Sequence, residues 1–146
     1  MTEKETDDLF YFCTLIEFIS RKTKNTRRDT IAYFSEDEIK LQLDNAQINH
    51  CLSLEQVCDE LIEKLSIQTG NSDSVAECKY TVPTETSIGR VYQRLILAVE
   101  GDSITKTIKE VFSSFISEEI SNFNSNVYYS NPDYLLWSYR EGKMLA

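Results

Sequence analysis

Two prolines and four glycines are all that interrupt 146 residues. Between these few breakers, apolar residues recur at spacings of three and four. That combination predicts helices and disfavours a turn-rich β fold. Leu9, Phe12, Cys13, Ile16 and Ile19 form the first stripe. Phe10, Leu15 and Phe18 widen it until the segment is apolar most of the way round, which predicts a largely buried helix. The chain then turns sharply polar over Ser20–Arg28. Thr26 or Asn25 is placed to cap a short second helix running to Phe34.

Two capping boxes follow, Ser35-Glu36-Asp37-Glu38 and Ser53-Leu54-Glu55-Gln56. In each, the Ser oxygen can accept the third amide while the acid or amide side chain reaches back. The first opens a helix carrying Ile39, Leu43 and Ala46. The second opens the cleanest amphipathic pattern in the chain, with Leu54, Val57, Cys58, Leu61, Ile62 and Leu65 on one face. Charged or amide residues fill the opposite face. Gly70 reads as a helix-ending residue. Val75–Val82 reads as an extended connection with no strand to pair with, ending where Pro83 restricts Val82. Ile88, Val91, Tyr92, Leu95 and Val99 mark a central helix. Gly89 sits inside it, and close helix approach is the reading that accounts for it. A long helix is expected over Ile104–Phe123, and a short one after Asn131-Pro132 carries Tyr134, Leu135, Trp137 and Tyr139. The expected architecture is all-α: one domain over residues 1–146, an irregular or orthogonal bundle of six or seven helices.

A domain of this length can bury roughly 70% of its unfolded surface. With 41% hydrophobic residues, the composition excludes a disordered tail. No apolar run reaches the roughly 18 residues of a membrane span. The acidic Met1–Asp8 start has no basic n-region, so the expected location is cytoplasmic. Cys13, Cys51, Cys58 and Cys78 lack C-x-x-C spacing and sit in apolar patterns. They read as reduced core cysteines.

The net charge of -9 is unevenly spread. Arg21, Lys22, Lys24, Arg27 and Arg28 place five positive charges in eight residues. The rest of the chain holds ten basic residues against 24 acidic ones, a net of -14. Two readings stand for this island. It contacts phosphate or a partner, or it pairs with the fold's own acidic faces and solvates a helix–helix turn. The divided charge predicts a dipolar surface. A second cluster is aromatic: Tyr128, Tyr129, Tyr134, Trp137 and Tyr139. Such side chains either pin a terminal helix to the core or mark an interface.

Catalytic signatures are missing. The chain has no phosphate loop, no G-x-G-x-x-G, no G-x-S-x-G elbow and no H-E-x-x-H helix. His50 is the only histidine, so a Ser–His or Cys–His hydrolase would depend on it. Its plainer reading is a loop histidine near a helix start. No catalytic set, cofactor-binding set or metal-ligating set is expected.

The stretches His50-Cys51-Leu52-Ser53-Leu54-Glu55-Gln56-Val57 through Glu63, Ile88–Ile96 and Tyr128-Tyr129-Ser130-Asn131-Pro132 resemble a group of small, acidic, uncharacterised bacterial proteins. That group is associated with toxin-neighbourhood operons, as antitoxin- or immunity-like partners. The resemblance implies a binding protein and assigns no residue a role. The leading expectation is therefore a non-enzymatic protein–protein interaction module. Its acidic faces suit a basic partner. The alternative is a regulatory nucleic-acid binder using Arg21–Arg28, disfavoured by a pI near 4.6. A small enzyme relying on His50 is third. A homo-oligomer is compatible with all three.

Overall fold

The fold is all-helical, as the spacing predicts. The computed structural model describes residues 1–146. It contains α1 (Glu3–Thr23), α2 (Arg27–Ala32), α3 (Glu36–Asp44), α4 (Ala46–Asn49), α5 (Leu54–Lys64) and α6 (Ser74–Glu77). These are followed by α7 (Glu85–Val99), α8 (Ile104–Ser113), α9 (Phe115–Ser121), a 310 turn (Val127–Tyr129) and α10 (Pro132–Glu141). There is no strand, and no helix is long and apolar enough to cross a membrane.

Ten helices replace the expected six or seven for local reasons. Asn45, at φ -92° and ψ 0°, divides α3 from α4. Ser114, at φ -83° and ψ 168°, divides α8 from α9. Its hydroxyl donates to Val111 O at 2.7 Å and accepts from Ile116 N–H at 3.3 Å. Local side-chain bonding of this kind competes with the helical ladder. The third addition is the single turn α6, where Asp73 Oδ1 accepts from Ala76 N–H. It falls in the segment read as a plain connection. The rest of that connection is irregular.

The two expected capping boxes form only by half. Ser35 and Ser53 accept from Glu38 N–H and Gln56 N–H. Glu38 instead pairs with Lys64, and Gln56 reaches forward to Glu60. The complete box lies at Thr2 and Glu5, which cap α1.

α1 is the axis of the molecule. Leu9, Phe12, Cys13, Leu15, Ile16 and Ile19 are fully buried, in a single cluster of 27 apolar residues. Phe12 meets Phe34 edge-on, and Tyr92 stacks on Phe112 at 4.2 Å. α7 lies along α1 more extensively than any other helix. The close approach inferred for Gly89 is present: a Cβ there would lie 3.0 Å from Thr14 Cα and N and closer still to its hydroxyl. Gly70, in contrast, does not end a helix, since α5 stops at Lys64. It presses against residues 24–25, and its N–H donates to Thr23 O at 2.8 Å.

The polar stretch after the first stripe is only in part a surface turn, with Lys22, Lys24 and Arg28 exposed. Ser20, Thr23, Asn25, Arg27 and Thr30 are buried. Ser20 Oγ bonds Ile16 O and Thr30 Oγ1, and Asn25 Nδ2 donates to Thr23 Oγ1 and Gln68 O. Buried polar groups are tolerated when they are hydrogen-bonded in this way.

Candidate functional site

Each cation of the basic island faces a carboxylate supplied by the fold. Arg27 and Arg21 both donate to Glu17. Lys22 bonds Asp59 at 2.5 Å and lies 3.6 Å from Glu55. Lys24 lies 4.0 Å from Asp73, and Arg28 lies 3.5 Å from Glu118. Arg21 also reaches Glu85 at 3.6 Å. Five cations thus meet Glu17, Glu55, Asp59, Asp73, Glu85 and Glu118. The positive charge expected from the sequence is therefore offset locally, although Lys22, Lys24 and Arg28 keep exposed side chains.

The centre of this network is buried. Glu17 is 0% exposed and Arg27 only 2%. Arg27 Nε and Arg21 Nε each donate to Glu17 at 2.8 Å, and Arg27 Nη2 makes a further short contact to it. Arg27 Nη1 donates to Ser74 Oγ, while Arg21 Nη2 donates to Pro83 O at 2.8 Å. Both guanidiniums lie over the Phe123 ring, at 5.1 and 5.7 Å. Burial alone would push the Glu17 carboxyl up. Arg27 and Arg21 outweigh it and hold that carboxyl below the usual range. Arg27 therefore presents no surface to a partner. Arg21 is mostly enclosed, and Lys22, Lys24 and Arg28 remain partly open.

The aromatic cluster is divided by the fold. Tyr134 and Tyr139 are half-buried, and Tyr134 Oη donates to Leu145 O at 2.7 Å. Trp137 is 56% exposed on the outer face of α10, with Arg140 over its ring. Tyr128 packs edge-on against Phe123 and against Tyr129, which is 68% exposed.

Tyr128 and Tyr129 form one wall of the largest concavity, a groove of about 770 Å³. That volume lies within the range of ligand-binding clefts. The first turns of α7 form its floor, and Val82 and Pro83 its opposite wall. Arg90 and Arg94 are the only charged side chains lining it, and neither pairs with a carboxylate. Arg90 is fixed in place. Its guanidinium sits 3.9 Å above the Phe10 ring centroid, and Nη1 donates to Gln93 Oε1 at 2.7 Å. Gln93 is itself buried and donates from Nε2 to Thr6 O of α1 at 2.9 Å. Arg94 is exposed and makes no hydrogen bond within the protein. Arg21, by holding Pro83 O, ties the groove wall to the buried network.

Sequence reasoning passed over Arg90 and Arg94. Their usable signal was two arginines one helical turn apart, with no acid at the intervening or adjacent positions of α7 (Val91, Tyr92, Gln93, Leu95).

His50 lies beyond the end of α4, exposed, its ring 4.4 Å from that of Tyr11. It makes no side-chain hydrogen bond to a serine or cysteine, so the nucleophile–base geometry of a hydrolase is not assembled around it. All four cysteines are free. Cys13 and Cys58 are buried, Cys78 is half-buried, and Cys51 departs from the expected core placement by being exposed. Burial pushes the Cys58 thiol up to about 12. No protein-family profile, curated protein or solved structure matches the chain.

Proposed function

We propose that the protein is a non-enzymatic interaction module that seats a partner protein in the groove along α7. One observation carries this reading. In a molecule of net charge -9, the largest concavity is lined by two arginines that no carboxylate neutralises. One of the two is held in a fixed orientation by Phe10 and Gln93. A solvated surface arginine needs no such support, whereas a recognition group gains affinity from being positioned before its partner arrives. Neighbouring Tyr128 and Tyr129 supply the kind of rigid aromatic area that interfaces favour.

The likeness to antitoxin- and immunity-like proteins bears on where the partner comes from, namely the product of an adjacent gene. The test is co-expression with each neighbouring gene product, followed by size-exclusion chromatography with light scattering. Thr86, exposed on the groove lining, is replaced by Trp to obstruct it. A complex is expected with the native chain and not with Thr86→Trp. Where the neighbour is toxic, growth is rescued only by the native chain. Failure of every neighbour to bind, or binding that ignores Thr86→Trp, overturns the reading.

A further inference from the structure

We infer that the occupant of the groove is an extended acidic segment of the partner, carrying two carboxylates two residues apart. This rests on the interaction reading above and specifies its chemistry. The groove offers two guanidiniums and no acid, so an anionic ligand meets attraction without a competing repulsion on the walls. Arg90 and Arg94 are one turn apart on α7, a rise of about 6 Å. Alternate side chains of an extended chain project to one side about 6.6 Å apart. An acid-x-acid segment therefore matches both arginines in register. A contiguous acidic pair points its carboxylates to opposite sides and reaches only one.

The chemistry of each contact follows from the donors left free. Arg90 uses Nη1 for Gln93 and lays its face on Phe10, which leaves its remaining N–H edge for a carboxylate. Arg94 has its whole fork free. A guanidinium presents parallel N–H donors that a carboxylate accepts in pairs. The intervening side chain of the segment faces away from the arginines, and apolar neighbours beside it meet Val82, Pro83 and Tyr128.

The overall negative charge of the protein opposes an acidic ligand only at long range. At physiological ionic strength the screening length is about 8 Å. Charges beyond the groove are therefore damped, while the arginine contacts act at hydrogen-bond distance. The acidic faces slow the encounter, and the groove sets the affinity.

The experiment is an array of N-acetylated, C-amidated eight-residue peptides. Two Asp residues are separated by zero to four positions in a Ser/Leu/Phe background. The full-length protein is the probe, and hits are measured by fluorescence anisotropy. Peptides with one residue between the acids are expected to bind best. Arg94→Ala should weaken them about tenfold or more, since a charge-assisted hydrogen bond is lost. Arg90→Ala should act similarly, and Arg28→Ala should bind like the native chain. Equal binding across all spacings, or binding indifferent to Arg94→Ala, overturns the inference. So does preferential binding of uncharged peptides. If the array is blank while a neighbour's complex still depends on an open groove, the interaction module stands and the acidic segment falls. If ATP, tested in parallel by thermal shift, binds through the same arginines and the peptides do not, the groove takes a small anion and both readings fail.

Discussion

The island at residues 21–28 and the arginine pair on α7 hold their charges in opposite ways. The island is dense in sequence, yet every one of its cations meets a carboxylate from elsewhere in the fold. Glu17 sits one turn before Arg21, and Asp59, Asp73, Glu85 and Glu118 come from four later segments. Arg90 and Arg94 are sparse in sequence, yet they line a groove without meeting a carboxylate. Local charge density thus reports how much compensation a fold must supply. It does not report where charge reaches solvent.

The comparison breaks most visibly at the buried end. Arg27→Ala strips the buried Glu17 carboxylate of its main partner. Uncompensated burial of that kind costs about 3–5 kcal/mol, which urea unfolding would detect as a much lower midpoint at unchanged slope. A loss under 1 kcal/mol would mean that Glu17 and Arg27 are not buried together. Acid should act on the same pair. Glu17 has its carboxyl lowered in the folded state, so its contribution is present above the ordinary carboxyl value near 4.5. It is lost as pH falls from there through the lowered folded value. Thermal midpoints should fall below about pH 4.5, and Glu17→Gln should flatten that fall. An unchanged profile in Glu17→Gln would detach the acid response from this site.

A middle-sized effect lies under the groove. Gly89→Ala puts a methyl against Thr14 on α1 and lifts the floor that carries Arg90. Overpacking of this sort costs about 1–3 kcal/mol, reduced by the better helix propensity of Ala. Differential scanning calorimetry should show a lower midpoint. An increase would show that α7 can move away freely. The smallest effects belong to the open charges. Arg28→Ala removes an exposed pair and should cost at most about 1 kcal/mol. Arg94→Ala, which has no partner, should fall within about 0.5 kcal/mol of the native chain. A larger loss at Arg94 would reveal an internal partner and remove it from the binding site.

The helical class was legible because period and scarcity of breakers act locally. α1, α5 and α7 fall where their apolar stripes lie. The helix count was not legible, because Ser114 breaks an otherwise continuous apolar pattern through side-chain hydrogen bonds and Asn45 breaks one through its backbone conformation. Buried Arg27 was hidden for a different reason. A charged side chain enters the interior only when its partner is already there, and Glu17 lies ten residues away on another helix. The same gap concealed the groove. Arg94 looks like any surface arginine until the fold shows that no acid faces it. Of the aromatic cluster, Tyr128 and Tyr129 reach the groove, while Tyr134, Trp137 and Tyr139 do not.

Arginine Nε–Hε spectra of the native protein test the contrast most directly, through hydrogen exchange at neutral pH. Arg21 and Arg27 each donate that hydrogen to Glu17 at 2.8 Å, so their signals should persist with strong protection. Arg94 donates to nothing, so its signal should exchange away first. Protection at Arg94 together with rapid exchange at Arg27 would reverse the assignment of compensated and free charge, and the account would fail with it.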